Sequence, residues 1–292
     1  MPISCRTGNS AIPRIPHSQL AIVHCSFTIV LITTFFKSSF VRQTYAGRNT
    51  MSQAERPVIL TPEAFAKLHT ISTATLTSQL SKRGFRNTFL AGLYPLRPDL
   101  RLVGYAFTLR YVPMREDLVD ELYDNTKNVQ RIAVESVGPD DILVIDARGD
   151  TRAATLGNIL ATRLIARGAR GLVTDGALRD TPGYRELDLP AYVKAAHAAT
   201  SFNIHHPLEM NVPVGCAGVL VMPGDIMVGD GEGVVAIPAK VAEAVAHDAY
   251  EQERLEEFIQ QKVAGGASIH GVYPPNETTQ AEYAAWRARQ GQ

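Results

Sequence analysis

The sequence predicts a mixed α/β domain, and three observations predict it. Short β-branched and aliphatic runs alternate with stretches of helical apolar spacing through the body of the chain. No regular strand–helix repeat continues into the second half, which argues against a TIM barrel or a plain dinucleotide-binding fold. A long helix over 239–263, free of Gly and Pro and rich in Ala, Glu and Gln, follows the last strand.

The elements follow in order. Thr61-Pro62-Glu63 opens a helix: Thr can cap, Pro suits the first helical position, and Glu favours the positive end. Phe65, Leu68 and Ile71 form its apolar stripe. A second helix spans 72–80, capped by Ser72 or Thr73 and stopped by Gly84. Residues 102–112 alternate as a strand, and 117–135 read as a helix with one exposed face. Residues 141–146 (DILVID) form a buried strand. After the polar turn 148–152, a helix spans 153–168, with Ile159, Leu160, Leu164 and Ile165 at helical spacing and Gly168 as its stop. The next strand is 171–174, and 175–180 is the loop leaving it. A helical segment at 182–187, a strand at 191–194 and an irregular stretch at 195–210 come next. Strand composition returns at 211–217, 218–222, 226–228 and 234–237, with a tight loop at 229–233. Gly265-Gly266 stops the long helix, and the tail through Trp286 holds a final short helix.

The chain has 292 residues, 45% hydrophobic and 20% charged, with no formal net charge. That zero hides an asymmetry. Residues 1–50 hold five basic residues and no acid, leaving 24 basic and 29 acidic residues in 51–292, a net of −5. A mildly acidic body does not suggest a nucleic-acid binder, which normally shows a basic face. Residues 1–50 also hold Cys5, Cys25 and an interrupted apolar run at 21–36, shorter than the ~18 residues a spanning helix needs. Three readings fit: a mitochondrial presequence, a signal anchor, or a non-native segment upstream of a start at Met51. In each case 1–50 is expected to be disordered or poorly packed, and 51–292 to form a single domain with no membrane segment. Cys216 is the one cysteine of the body, so neither a disulfide framework nor a thiolate zinc site can form there. This fits a reducing compartment, cytoplasmic, or mitochondrial if 1–50 is a genuine presequence.

The chemistry concentrates at Gly157-Asn158-Ile159-Leu160 and at Thr174-Asp175-Gly176-Ala177-Leu178-Arg179-Asp180. They put a helix N-terminus, a guanidinium and an adjacent carboxylate in one strand–helix–strand unit, at the strand ends where α/β proteins build sites. Those parts can hold an α-keto acid on a divalent cation. No G-x-G-x-x-G follows a strand and no G-x-x-x-x-G-K-[ST] occurs.

Together with Ser72-Thr73-Ala74-Thr75, 171–176, Asn211-Val212-Pro213-Val214, 223–230 and Gly233-Val234-Val235, these motifs make the chain resemble the RraA-like family over roughly 70–292. That family contains class II 4-hydroxy-4-methyl-2-oxoglutarate aldolases and regulators of RNase E, and many members carry a methyltransferase label. The resemblance implies a β/β/α swivelling-type fold assembled as a homotrimer or a dimer of trimers, with sites between subunits. It implies that Arg179 and the backbone N–H groups of Gly157, Asn158, Ile159 and Leu160 bind the substrate carboxylate. Asp180 would ligate Mg²⁺ or Mn²⁺. A glutamate on the C-terminal helix of a neighbouring subunit, matched by Glu256 or else Glu253, would order a catalytic water. Two departures bear on substrate and base: Asn158 stands where the family often has an acid, and Thr77-Ser78-Gln79 where its early helix does.

The activity so implied is metal-dependent retro-aldol cleavage of a 4-hydroxy-2-oxo acid to pyruvate, with decarboxylation of oxaloacetate as a side activity. A non-catalytic regulator of RNase E is the alternative. A methyltransferase would need a glycine-rich nucleotide loop that the chain lacks. Each candidate residue also has a structural reading. Arg179-Asp180 could be a turn-capping ion pair, Gly157 a helix-start turn, and Asp175 a carboxylate that bonds its own turn. Asp230 and Glu232 read either as a Ca²⁺-type loop or as structural acids. His205-His206 read as ligands or as a surface loop, Lys194 as a Schiff-base lysine or a solvated strand end, and Glu256 as part of a solvated helix face.

Overall fold

Strand β2 organises the protein. In the computed structural model, which describes residues 56–290, β2 spans Leu102–Pro113, and residues 102–109 and 111 are buried. The expectations for 1–50 and for Met51 lie outside the described residues. On one side β2 pairs in parallel with β3 (Asp141–Asp146), which pairs in parallel with β5 (Gly171–Leu178), and that with β6 (Ala191–Ala196). On its other side β2 has two partners. Its first residues pair antiparallel with β10 (Ile226–Gly229), which continues to β11 (Val234–Ile237). Its last residues pair antiparallel with β7 (His205–Met210), with a register shift between Arg110 and Tyr111. The short β1 (Tyr94–Pro95) on β6 and β4 (Ala154–Leu156) on β5 complete a nine-stranded mixed sheet.

Side-chain alternation along the strands sends alternate residues to opposite faces, and the two faces are covered differently. On one, Val103 and Tyr105 meet helices α1 (Pro62–Leu68), α2 (Thr73–Lys82) and α7 (Ala242–Ala264). On the same face, Phe107, Leu109, Leu143, Ile145 and Leu172 meet α4 (Val129–Ser136), α5 (Asn158–Ala166) and α6 (Thr181–Tyr184). The opposite residues, Leu102, Ala106, Ile142, Val144 and Val173, pack on the hairpin β8 (Val214–Cys216) and β9 (Val219–Val221). The layering is therefore helix, large sheet, small sheet.

Sequence expectations and structure part in a few places, each for a local reason. Thr61 and Ser72 cap α1 and α2 as expected, accepting from the N–H groups of Ala64 and Thr75. The helix expected over 117–135 is broken into a turn, α3 (Val119–Tyr123) and α4, because Asn128 caps a new start at Gln130 and Arg131. The helix expected from 153 begins only at Asn158. Residues 154–156 are instead a buried strand whose Thr155 hydroxyl donates to Ala177 O at 3.0 Å. The strand expected to stop at 174 runs on through Leu178, so Asp175 is a strand residue. The stretch 195–210, expected to be irregular, contains β7. His205 in it is fully buried rather than on a surface loop. The long helix and a final helix α8 (Glu277–Arg289) lie where the composition places them.

Candidate functional site

Two crossovers converge on one corner. β3 leads through β4 and α5 to β5, and β5 ends at Leu178, directly before Arg179 and Asp180. The Arg179 N–H donates to Leu156 O at 3.2 Å, which extends the β4–β5 pairing and brings Arg179 beside Gly157. Asp180 then takes a left-handed conformation, φ 60°, which a short polar side chain tolerates. The approach is close enough that a Cβ on Gly157 would lie 2.8 Å from Asp180 Oδ2 and 3.2 Å from Arg179 Cγ. Only glycine leaves this space, and the requirement is steric, since Gly157 has an ordinary extended backbone, φ −113°.

Gly157 also gives α5 no side-chain cap. The N–H groups of Asn158, Ile159 and Leu160 are thus left without intrahelical acceptors, at the positive end of the helix dipole. Arg179 meets Asp180 only loosely: Nε lies 3.3 Å from Oδ2, and both side chains are 39% exposed. The terminal guanidinium nitrogens of Arg179 make no hydrogen bond among the described residues. A two-pronged donor is therefore free to take a carboxylate. Gly157, Ile159, Leu160, Arg179 and Asp180 line a cavity of about 210 Å³.

The cavity floor is held from below. Thr155 O accepts from Tyr111 Oη at 3.0 Å and from Gln130 Nε2, and Gln130 Nε2 also donates to Tyr111 Oη at 2.7 Å. Burial pushes the Tyr111 phenol far up, outweighing the hydrogen bond from Gln130, so it stays a neutral donor. Tyr184 Oη donates to Gly157 O at 3.2 Å. His205 supports the bend that leads into β4. Its Nε2 lies 3.1 Å from Ala153 O and its Nδ1 3.3 Å from Arg148 Nη2. Burial lowers its pKa, so it is a neutral ring donating from Nε2 and accepting at Nδ1.

The remaining candidates have other work. Asp175 does not bond its own turn: it accepts from the N–H groups of Ala147 (2.6 Å), Gly149 (2.8 Å) and Ala217 (3.2 Å), tying three segments together. Burial raises its pKa against those hydrogen bonds. Asp230 accepts from the N–H and hydroxyl of Thr73 at 2.8 and 2.9 Å and so anchors the start of α2. Lys194 is exposed and donates to Gly149 O at 3.1 Å. Glu253 accepts from Ser72 N–H and Oγ at 2.9 and 2.7 Å. Glu256 accepts from Gln252 at 2.8 Å in a separate groove along α7. Neither glutamate lines the cavity of its own chain. Sequence reasoning missed Gln130, Tyr111 and the turn 200–202 as cavity-forming residues. They come from distant segments, and no motif marks them.

The donor set suits one kind of cation. Asp180 is the single carboxylate lining the cavity, and no cluster of three or more His, Cys, Asp or Glu side chains fit for a metal occurs among the described residues. A hard cation such as Mg²⁺, which keeps most of its waters and accepts one protein carboxylate, fits; a zinc site built from three or four protein ligands does not.

Comparison with known proteins gives the corner its context. The family model described as RraA-like, Aldolase/RraA, matches residues 73–236. A protein of Halalkalibacterium halodurans named "Putative 4-hydroxy-4-methyl-2-oxoglutarate aldolase" is 29% identical over 223 residues, covering 76% of this chain and 96% of its own. The 4-hydroxy-4-methyl-2-oxoglutarate aldolase of Thermus thermophilus is 30% identical over 153 residues, 52% of this chain and 92% of its own. Among solved structures, Streptomyces coelicolor RraAS2, described as an unusual member of the RNase ES inhibitor RraA protein family, superposes with a TM-score of 0.62 at 32% identity. It covers 70% of this chain and 99% of that one. With residues 73–236 matched and the helix, large sheet, small sheet layering in place, the chain belongs to the RraA-like aldolase/RraA family.

Proposed function

We propose that the protein is a divalent-cation-dependent class II aldolase that cleaves a 4-hydroxy-2-oxo acid, such as 4-hydroxy-4-methyl-2-oxoglutarate, to pyruvate and a carbonyl product. The observation that carries this reading is the convergence of the α5 N-terminus, Arg179 and Asp180 on one small cavity. The names of two relatives support it: both are called aldolases, one of them putative, and the matches span 96% and 92% of their own lengths.

In the cleavage, the C4 hydroxyl loses its proton and C4 becomes a carbonyl as the C3–C4 bond breaks. The bonding pair passes to C3 and is delocalised onto the 2-oxo oxygen as an enolate; a proton then returns to C3, giving pyruvate. Arg179 grips the carboxylate with two parallel donors and so fixes the plane of the 2-oxo acid. The N–H groups of Asn158, Ile159 and Leu160 add donors to the same anion. Asp180 would hold Mg²⁺ or Mn²⁺ next to that plane. A cation there supplies Lewis-acid stabilisation of charge on the 2-oxo oxygen. Glu256, supplied by a neighbouring copy in a homotrimer or dimer of trimers, is the candidate that draws the C4 hydroxyl proton through water. Ile159, apolar and 81% exposed on α5, is a surface that such a copy would cover. Oxaloacetate would lose CO₂ at the same place, since its C3–C4 cleavage gives the same enolate.

The test is pyruvate release with Mg²⁺, with EDTA, and in the Asp180→Ala variant. Release that persists through both chelation and the substitution refutes the reading. The rival reading, contact inhibition of an RNase E-type enzyme, draws on the description of the Streptomyces neighbour. It gains if the protein releases no pyruvate and binds such an enzyme equally well with Arg179→Ala.

A further inference from the structure

The cavity has walls that the proposed cleavage does not use. Gln130 and Arg131, from the first turn of α4, and Thr200, Ser201 and Phe202, from the turn before β7, complete its lining. Gln130 is engaged by Tyr111 and Thr155. Arg131 is not engaged in that way. Its backbone N–H bonds the Asn128 cap, but its guanidinium makes no hydrogen bond or ion pair among the described residues, although the side chain is half-buried.

Apart from Asp180, no carboxylate among the described residues lines the cavity to neutralise this guanidinium, so a bound anion would be its natural partner. Arg131 lines the cavity together with Thr200 and Ser201, so guanidinium and hydroxyl donors are available there to an anionic oxygen pair. The volume, about 210 Å³, is below the ~300 Å³ at which pockets for drug-sized ligands begin, so the occupant is a small acid. Building on the aldolase reading, in which Arg179 takes the 2-oxo acid end, we infer that Arg131 is a specificity-determining residue. It selects substrates that carry a second carboxylate on the C4 side, so that the carbonyl product is itself an acid.

The experiment separates binding from turnover. Calorimetric titration with Mg²⁺ present compares 2-oxoglutarate with 2-oxopentanoate, neither of which can undergo the cleavage because both lack the C4 hydroxyl. Cleavage is compared for 4-hydroxy-2-oxoglutarate and 4-hydroxy-2-oxopentanoate. The native protein should favour each diacid by about tenfold to hundredfold, the range of a charged hydrogen-bonded contact. Arg131→Gln should shrink both preferences to about threefold while leaving the monoacids unchanged. A preference untouched by Arg131→Gln, an equal loss for diacid and monoacid, or no binding of either analogue to the native protein overturns the inference. If neither hydroxy acid is cleaved yet the binding preference depends on Arg131, the aldolase reading fails and this one holds. If cleavage is normal but its preference ignores Arg131, the reverse is true.

Discussion

Gly157→Ala isolates the geometry of the corner from its chemistry, because it deletes no functional group. The backbone there, φ −113° and ψ 173°, accepts alanine without strain. The new methyl would stand 2.8 Å from Asp180 Oδ2, against the 3.4 Å at which ordinary contact begins, so the carboxylate must retreat by about 0.6 Å. Asp180 is half-exposed and can swing away cheaply, so the fold survives. Replacing glycine by alanine at a helix cap costs roughly 1 kcal/mol, or about 2–4 °C in Tm for a domain of this size. Catalysis is less forgiving: a misplacement approaching 1 Å costs on the order of 10–100-fold in kcat/KM. The assay is pyruvate release under Mg²⁺ saturation, beside thermal unfolding of the same samples. In the Asp180→Ala background the extra methyl should cost little more, since its target is gone. Full activity in Gly157→Ala, or equal additional losses in both backgrounds, would refute the argument that this contact places the carboxylate.

Other expectations follow from the same geometry. Arg179→Lys keeps the charge but loses the fork, and should raise KM for the 2-oxo acid about tenfold, measured by steady-state pyruvate release. Arg56 forms a buried ion pair with Asp141 at 2.8 Å and stacks over Tyr105 at 4.1 Å. Arg56→Ala should therefore cost about 3–5 kcal/mol in urea unfolding at neutral pH. Burial already raises the Asp141 pKa. Protonation thus relieves the stranded carboxylate, and the cost of Arg56→Ala should shrink as pH falls through that raised value. Glu253 behaves oppositely: burial pushes its pKa up, but the hydrogen bonds from Ser72 and Thr75 and the charge of Arg101 together offset it and hold the carboxyl below its ordinary value. That stability is present above the ordinary carboxylate range and is lost as pH falls through the lowered value. Ser72→Ala should therefore cost about 1–2 kcal/mol at neutral pH, and less in acid, in a series of melting curves against pH. Leu143→Ala, at a fully buried centre of the sheet, should cost about 2–5 kcal/mol in urea titration.

What was legible in the sequence was what is written locally. Caps at Thr61 and Ser72, the aliphatic runs of β3 and β11, and the uninterrupted α7 announce themselves through neighbours in the chain. The corner of Gly157, Arg179 and Asp180 was also readable, because glycine beside a helix start and an Arg-Asp pair after a strand are short-range patterns. The failures are non-local. Residues 154–156 have no strand signature of their own and become a strand because β5 offers an edge. β7 carries a His-His-Pro start, and its partner is the far half of β2, about a hundred residues earlier. Arg131 on a short amphipathic helix reads as any solvated arginine until tertiary packing places it with Thr200 and Ser201 in the cavity lining.

The start of α5 has one further consequence. Most helices finish their own first turn with a serine, threonine or aspartate, and this one has a glycine that cannot. An anion seated against Asn158, Ile159 and Leu160 would complete what the chain leaves unfinished. Recognition and local ordering would then be a single event, and the helix would be most firmly wound when its cavity is filled.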